Sequence, residues 1–257
     1  ARQGDKRIRD ISLFAAQTDF SEPGELSLFI SPAQIEMLEA MMRKEGVLDS
    51  AKMGGAFTML RAHDLLWQPA VKSYLKGERE GMIDLMAWNA DGTRMPWKMH
   101  TEYLLGLYLR NDLAEGRFKV EDEAIRLSDI HVPMFVVGTE TDHVAPWKSV
   151  YKVDQLTGSK EFTFLLTSGG HNAGIVSGPV HPKRRHRVRT RRSADPRLGA
   201  DDWFAATAPS PGSWWPTWAE WLKAHSSPGR VEPPAMGAPE AGYSPLGDAP
   251  GEYVLQR

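Results

Sequence analysis

Short apolar runs along this chain are separated by a long stretch with helical periodicity. The runs at residues 8–14, 132–137 and 161–166 have the length and the β-branched or aromatic content of buried strands. Between the first two runs, apolar residues recur mainly at three-to-four spacing, which predicts helices. Strands and helices that alternate in this way indicate an α/β protein.

The helical stretch has its own start and stop signals. Ser31, Pro32 and Gln34 form a capping box with proline at the first helical position, and Gly46 marks the end of that helix. Three further helices are predicted from the positions of their apolar residues: one at Met53, Phe57 and Leu60, one after Pro96 at Met99, Tyr103 and Leu107, and one at 147–156.

The order of these elements predicts four segments. Residues 1–20 carry one strand of the core, and residues 21–129 form a helical insertion. Residues 130–225 form the later part of the core. Residues 226–257 are a tail rich in proline and glycine, expected to be extended. Since loops this long are usually functional, the insertion is expected to be a lid over a site.

Composition narrows the classes of function only slightly. The chain has 257 residues, 41% of them hydrophobic, a formal net charge of −2 and no cysteine. The absence of cysteine excludes disulfides and thiolate metal sites, and the small net charge gives no reason to expect nucleic acid as a partner. No run approaches the ~20 apolar residues of a membrane span, and no signal region is recognised, so we expect a cytoplasmic protein.

Candidate chemistry follows the last two strands. Asp142 comes after the strand at 132–137, and His171 comes after the strand at 161–166. In an α/β-hydrolase the nucleophile, the acid and the histidine follow one another in that order, the last two on loops after late strands of a parallel sheet. The sequence therefore predicts part of an α/β-hydrolase fold, with Asp142 and His171 as catalytic residues. The position of the nucleophile is empty, because the chain has neither cysteine nor a G-x-S-x-G elbow.

Other histidines are weaker candidates. Neighbouring residues at a strand end point apart, so His143 is expected to have a structural role beside Asp142. Ligand spacing for a metal is lacking, and no metal site is predicted. A plainer interpretation of the pair also stands, in which Asp142 caps a helix near Pro146 and His171 is an ordinary loop residue.

Five segments in order identify a resemblance to a known family. They are FAAQTDF at 14–20 with PGEL at 23–26, WNADGTRMP at 88–96, DHVAPW at 142–147, SGGHNAGI at 168–175 and GSWWP at 212–216. Together they resemble the polyhydroxyalkanoate synthases, which polymerise (R)-3-hydroxyacyl-CoA into storage polyester. The match indicates the C-terminal part of such an enzyme, without its N-terminal region and its G-x-C-x-G elbow.

The resemblance implies roles for the two residues. His171 would be the base that takes the proton of a cysteine thiol, and Asp142 would orient it. The CoA thioester would be a substrate, and no cofactor is expected. A growing polyester chain, the surface of a polymer granule and a second copy of the chain would be partners, and the location would be cytoplasmic or on granules. This chain alone would be inactive. Two alternatives stay open: a non-catalytic remnant or granule-associated module, and a hydrolase with an unrecognised nucleophile.

Two further segments are predicted to be structural. Residues 181–192 hold seven Lys or Arg side chains, and a solvated loop is favoured over attraction of CoA phosphates or nucleic acid. The tryptophans Trp214, Trp215, Trp218 and Trp221 follow a serine that can cap a helix, and their spacing predicts one face packed in the core.

Overall fold

The computed structural model describes residues 4–78, 81–181, 183–248 and 251–252. Nine strands lie in these residues: β1 (Ile11–Phe14), β2 (Val47–Leu48), β3 (Met95–Pro96), β4 (Lys119–Val120), β5 (Glu123–Ala124), β6 (Met134–Thr139), β7 (Glu161–Thr167), β8 (Arg185–Arg192) and β9 (Ser210–Pro211).

The α-helices of the described residues are mostly short. They are α1 (Pro32–Glu45), α2 (Ser50–Leu60), α3 (Gln68–Ala70), α4 (Asp84–Ala90), α5 (Trp97–Tyr103), α6 (Trp147–Tyr151), α7 (Val153–Leu156), α8 (His171–Ile175), α9 (Ala200–Ala206) and α10 (Trp215–His225). Wider π-helical turns occupy His63–Trp67, Val71–Leu75 and Leu104–Leu109, and 3₁₀ turns occupy Gly24–Phe29, Leu127–Asp129 and Pro239–Ala241.

The chain divides into two compact units. The first contains Ala1–Leu38 and Thr101–Ser227, and the second contains Glu39–His100 and Pro228–Arg257. Residues of the predicted lid, 21–129, contribute to both units. All the candidate site residues lie in the first unit.

A five-stranded sheet organises the first unit in the order β1-β6-β7-β8-β9. Strands β1, β6 and β7 are parallel, whereas β8 and β9 are antiparallel to their neighbours. The register pairs Leu13 with Val136 and Val136 with Phe164. Parallel strands end at the same edge, so the loops after β1, β6 and β7 lie side by side. The predicted α/β class is confirmed.

Both faces of the central strands are buried, which explains their uninterrupted apolar runs. Met134, Val136 and Phe164 pack on one face with Tyr151 and Trp203. On the opposite face, α10 covers the residues that alternate with them: Phe135, Val137 and Leu165 pack with Trp214 and Trp221. Helices on both sides therefore hold β6 and β7 firmly in place.

The predicted strands are present, with shifted ends. Strand β1 begins at Ile11, where its pairing with β6 starts, rather than at residue 8. Ile8 is exposed. Strand β6 spans Met134–Thr139, two residues later than predicted. The helix predicted at 147–156 is two short helices, α6 and α7, that meet at Lys152.

The helices of the predicted insertion are also present. Ser31 Oγ accepts the backbone N–H of Gln34 at 3.3 Å, and Gly46 follows α1 with a φ of +79°. Asp49 caps α2 through a bond from the N–H of Ala51. In the second unit, β2 pairs antiparallel with β3. The helix predicted after Pro96 begins as α5 and continues as the π-helical turn Leu104–Leu109.

The prediction of a solvated loop at 181–192 is wrong for residues 185–192. Residues Arg185–Arg192 form β8, which pairs with β7 from His186 to Arg192. Basic residues alternate here with His186, Val188 and Thr190, the period-2 pattern of a strand. One of its cations is neutralised inside the protein: Arg191 bonds Asp154 at 2.7 Å in a pair whose side chains are only 11% and 2% exposed. Pro182 lies outside the described residues.

The remaining predictions of structure have mixed outcomes. Trp214 and Trp221 are buried as predicted, but Trp215 is exposed. Ser213 Oγ accepts the N–H of Trp215, the first residue of α10, but the N-cap residue is Trp214 rather than the serine. Among the described residues of the tail, regular structure consists of the Pro239–Ala241 turn, and residues 249, 250 and 253–257 lie outside the description. No helix in the described ranges is long and apolar enough to cross a membrane.

Candidate active site

The loops after β6 and β7 are joined by backbone hydrogen bonds. Glu140 donates its N–H to the carbonyl of Thr167 at 2.9 Å, and Thr141 donates to Gly169 at 3.1 Å. These bonds extend the parallel pairing beyond the ends of the strands. They bring the loop that carries Asp142 beside the loop that leads to His171.

Asp142 is a fully buried carboxylate with four hydrogen-bond donors around it. Its Oδ1 accepts the backbone N–H groups of Val144 at 2.9 Å and Ala145 at 2.8 Å. Its Oδ2 accepts the hydroxyl of Thr139 at 3.1 Å and lies 2.9 Å from Nδ1 of His171. Its side chain is 0% exposed.

The environment of Asp142 keeps this residue ionised. Burial acts to raise the pKa of Asp142, but the hydrogen bonds from His171 and from the amides of Ala145 and Val144 outweigh burial, and the pKa lies below its ordinary value. A buried carboxylate that is ionised and fully bonded is a fixed negative charge at this edge of the sheet.

His171 is the first residue of α8, and its side chain is 34% exposed. Because a carboxylate can only accept, Nδ1 of a neutral His171 carries the proton that Asp142 binds. Nε2 is then the basic nitrogen. The structure thus brings the two predicted residues into direct contact, with Nε2 of His171 left on the side away from Asp142.

Close packing against Thr139 sets the position of α8. The backbone of Gly174 approaches Thr139 so closely that a Cβ on Gly174 would lie 2.6 Å from Cγ2 of Thr139. Thr139 is also the residue whose hydroxyl binds Asp142. One side chain of β6 therefore contacts both the acid and the helix that carries the histidine.

Sequence reasoning did not single out Thr139, nor Arg184, whose guanidinium bonds the backbone on either side of His171. No local pattern in the basic run distinguishes Arg184, which precedes strand β8. The structure pairs Asp142 with His171. The structural role of His143 stays a prediction. No group of three or more His, Cys, Asp or Glu side chains suited to a metal ion occurs in the described part of the chain.

An aspartate that is hydrogen-bonded to a histidine, on loops after neighbouring parallel strands, is the geometry that catalytic triads use in α/β enzymes.

Comparison with known proteins specifies the family. The chain is 40% identical over 258 residues to a poly(3-hydroxyalkanoate) polymerase of Methylorubrum extorquens, a match that covers all of this chain and 41% of that protein.

Two further relatives give the same result. Identity is 37% to the poly(3-hydroxyalkanoate) polymerase subunit PhaC of Rhizobium meliloti, over all of this chain and 41% of that protein. Identity is 31% to the corresponding subunit of Cupriavidus necator, over 99% of this chain and 43% of that protein. No protein-family model matches the chain.

The chain belongs to the poly(3-hydroxyalkanoate) polymerase family, and the resemblance stated from its sequence is confirmed. It spans about two fifths of the length of the curated relatives that it matches.

Proposed function

We propose that this chain is the part of a polyhydroxyalkanoate synthase that supplies the base and its orienter. The observation that carries the proposal is the 2.9 Å contact between His171 Nδ1 and Asp142 Oδ2, in a chain similar over its whole length to these polymerases. The full-length enzyme that contains this segment is called the complete polymerase below.

The proposed reaction has two transfers. Nε2 of His171 takes the proton of a cysteine thiol outside this segment, and the thiolate attacks the carbonyl carbon of an (R)-3-hydroxyacyl-CoA. The carbon–sulfur bond to CoA breaks, CoA leaves as its thiol with the proton, and an acyl-cysteine forms. The hydroxyl at the end of the polyester chain then attacks the acyl group, its proton passes to the histidine, and the cysteine is released.

Asp142 supports both transfers without exchanging a proton with substrate. It holds His171 in the tautomer whose Nε2 is basic, and its charge stabilises the imidazolium that forms during each transfer. Its low pKa fits this role, because a protonated carboxyl could not supply the charge.

We also propose that the sheet is part of an α/β-hydrolase fold and that residues 21–129 are its lid. Strands β1 and β6 are neighbours in the sheet, yet residues 15–133 separate them in sequence. An insertion at that point would exclude water and favour transfer to a hydroxyl over hydrolysis. Hydrogen exchange on the complete polymerase should show residues 21–129 opening more readily than β6, and equal protection would count against a lid.

The same proposal sets the expected partners. They are 3-hydroxyacyl-CoA, the growing polyester chain and the surface of a polymer granule in the cytoplasm, with a homodimer as the expected assembly. The CoA thioester is a substrate in this scheme, CoA is a product, and no cofactor is required.

Release of CoA thiol from 3-hydroxybutyryl-CoA tests the proposed roles in the complete polymerase. His171→Ala should abolish release, whereas Asp142→Asn should leave a small fraction, because the base is essential and the orienter sets tautomer and charge. His143→Gln is the matched control, with only a mild loss expected. Near-normal release by His171→Ala would refute the assignment.

The isolated chain provides a second test. It should release no thiol above the uncatalysed background, since an acyl-cysteine cannot form without cysteine. Co-expression with the remainder of the polymerase should restore release. Turnover by the isolated chain would instead support a hydrolase with a serine or aspartate nucleophile.

A further inference from the structure

Helix α8, which begins at His171, has only five residues, so its last carbonyls lack partners within the helix. Side chains from distant parts of the chain bind three of them. Arg184 Nη2 donates to Ala173 at 2.6 Å, Trp214 Nε1 donates to Gly174 at 3.0 Å, and Trp215 Nε1 donates to Ile175 at 2.9 Å.

Arg184 spans both sides of His171. Its Nη1 donates to the carbonyl of Ser168 at 3.0 Å, three residues before the histidine, and its Nη2 reaches Ala173, two residues after it. The guanidinium is itself held by Nε, which donates to Ser177 Oγ at 2.6 Å. A planar group with donors on several nitrogens can bind these separate acceptors at once.

Gly169 provides the space for this contact. Its φ is +111°, a conformation that side chains rarely adopt, and a Cβ there would collide with Nη1 of Arg184. The turn between β7 and His171 therefore folds around the guanidinium. Gly169 and Arg184 therefore pack directly against each other beside His171.

We propose that Arg184 is a positioning residue. It keeps His171 hydrogen-bonded to Asp142 while Nε2 of His171 takes up and releases protons. The turn and α8 carry His171 at their junction, so fixing Ser168 and Ala173 limits how far the imidazole can move from the carboxylate. A displacement of about 1 Å at a reacting group can cost about 100-fold in rate. The effect on catalysis rests on the proposed function, whereas the effect on the Asp142–His171 contact does not.

Arg184→Gln and Arg184→Lys in the complete polymerase test this proposal, with Arg189→Gln as the control. Arg189 lies in β8, the strand that follows Arg184 in sequence, and is exposed. Two quantities are measured: kcat and KM for 3-hydroxybutyryl-CoA, and the proton NMR signal of the His171 Nδ1–H, assigned by its loss in His171→Ala.

We expect Arg184→Gln to lower kcat about 10-fold or more while KM changes less than about 2-fold, and to broaden or remove the Nδ1–H signal. Arg184→Lys should recover part of kcat, because an ammonium keeps the charge but cannot reproduce the planar contact. Arg189→Gln should leave both quantities as in the unaltered enzyme.

Unchanged kcat and an unchanged Nδ1–H signal in Arg184→Gln would overturn the proposal. So would a raised KM with unchanged kcat, which would mean that Arg184 binds substrate instead. If Arg184→Gln does not fold, Arg184→Lys decides by the same two measurements. Normal activity in His171→Ala would refute the proposed function, yet the Nδ1–H signal would still report whether Arg184 holds the contact.

Discussion

The hydroxyl of Thr139 donates to Oδ2 of Asp142 at 3.1 Å, and the same oxygen binds His171. Thr139 is the last residue of β6 and is fully buried. Asp142 is thus bonded directly to the end of β6, and the position of His171 depends on the sheet through Asp142.

Replacing Thr139 by valine should weaken the support of Asp142. The variant removes one hydrogen bond without changing the shape of the side chain, so we expect a loss of about 1 kcal/mol in unfolding free energy and about a 5-fold loss in CoA release. Urea unfolding and a thiol assay on the complete polymerase measure the two effects.

Thr163→Val is the matched control for this change. Thr163 is also buried, but its hydroxyl bonds Thr190 on β8. It should lose a similar amount of stability and keep its activity. Equal activity of the Thr139 and Thr163 variants would show that the hydroxyl of Thr139 does not support the site.

Gly174→Ala should disturb α8. The added Cβ would lie 2.6 Å from Cγ2 of Thr139, so the helix or the strand end must move, at a cost of about 1–3 kcal/mol. CoA release should fall by more than stability alone explains, because His171 moves with the helix.

Gly178→Ala separates this effect from the general cost of losing a glycine. At Gly178 the nearest atom to an added Cβ is Cζ3 of Trp215, at 4.0 Å, an ordinary contact. Stability and activity should hardly change. A Gly174→Ala variant that behaves like Gly178→Ala would contradict the close packing of α8 on β6.

The buried ion pair between Arg191 and Asp154 is expected to matter for folding alone. Arg191→Gln leaves Asp154 buried without its cation, which should cost about 3–5 kcal/mol in unfolding free energy. Arg192→Gln, at a side chain that is 75% exposed, should change stability by less than about 0.5 kcal/mol. Similar losses in the two variants would contradict a structural role for the basic strand.

The low pKa of Asp142 predicts a dependence of stability on pH. The unfolded chain takes up a proton near the ordinary pKa of about 3.9, whereas folded Asp142 takes it up only at lower pH. The stabilisation is therefore complete above the ordinary pKa and is lost as the pH falls through the folded pKa. The stability difference between the unaltered enzyme and Asp142→Asn should shrink as the pH falls below the ordinary carboxyl pKa.

Sequence patterns predicted the centre of the fold and the places of Asp142 and His171 after neighbouring strands, for a physical reason. Strands buried on both faces must be apolar throughout, and the turns that follow them are the places where polar groups can converge, as Asp142 and His171 do. The basic strand β8 was missed because its charge suggested water, and its counter-charges lie far away in sequence, as Asp154 does for Arg191. The bonds of Trp214 and Arg184 to α8 are likewise contacts between separate segments, which local patterns do not encode.

Mass spectrometry of the acyl-enzyme tests the central claim most directly. After a single turnover with 3-hydroxybutyryl-CoA, the complete polymerase should carry one 3-hydroxybutyryl group on a cysteine outside this segment. The His171→Ala variant should carry none above background. An acyl group on a serine or aspartate of this segment, or acylation of His171→Ala at the rate of the unaltered enzyme, would contradict the roles proposed for His171 and Asp142.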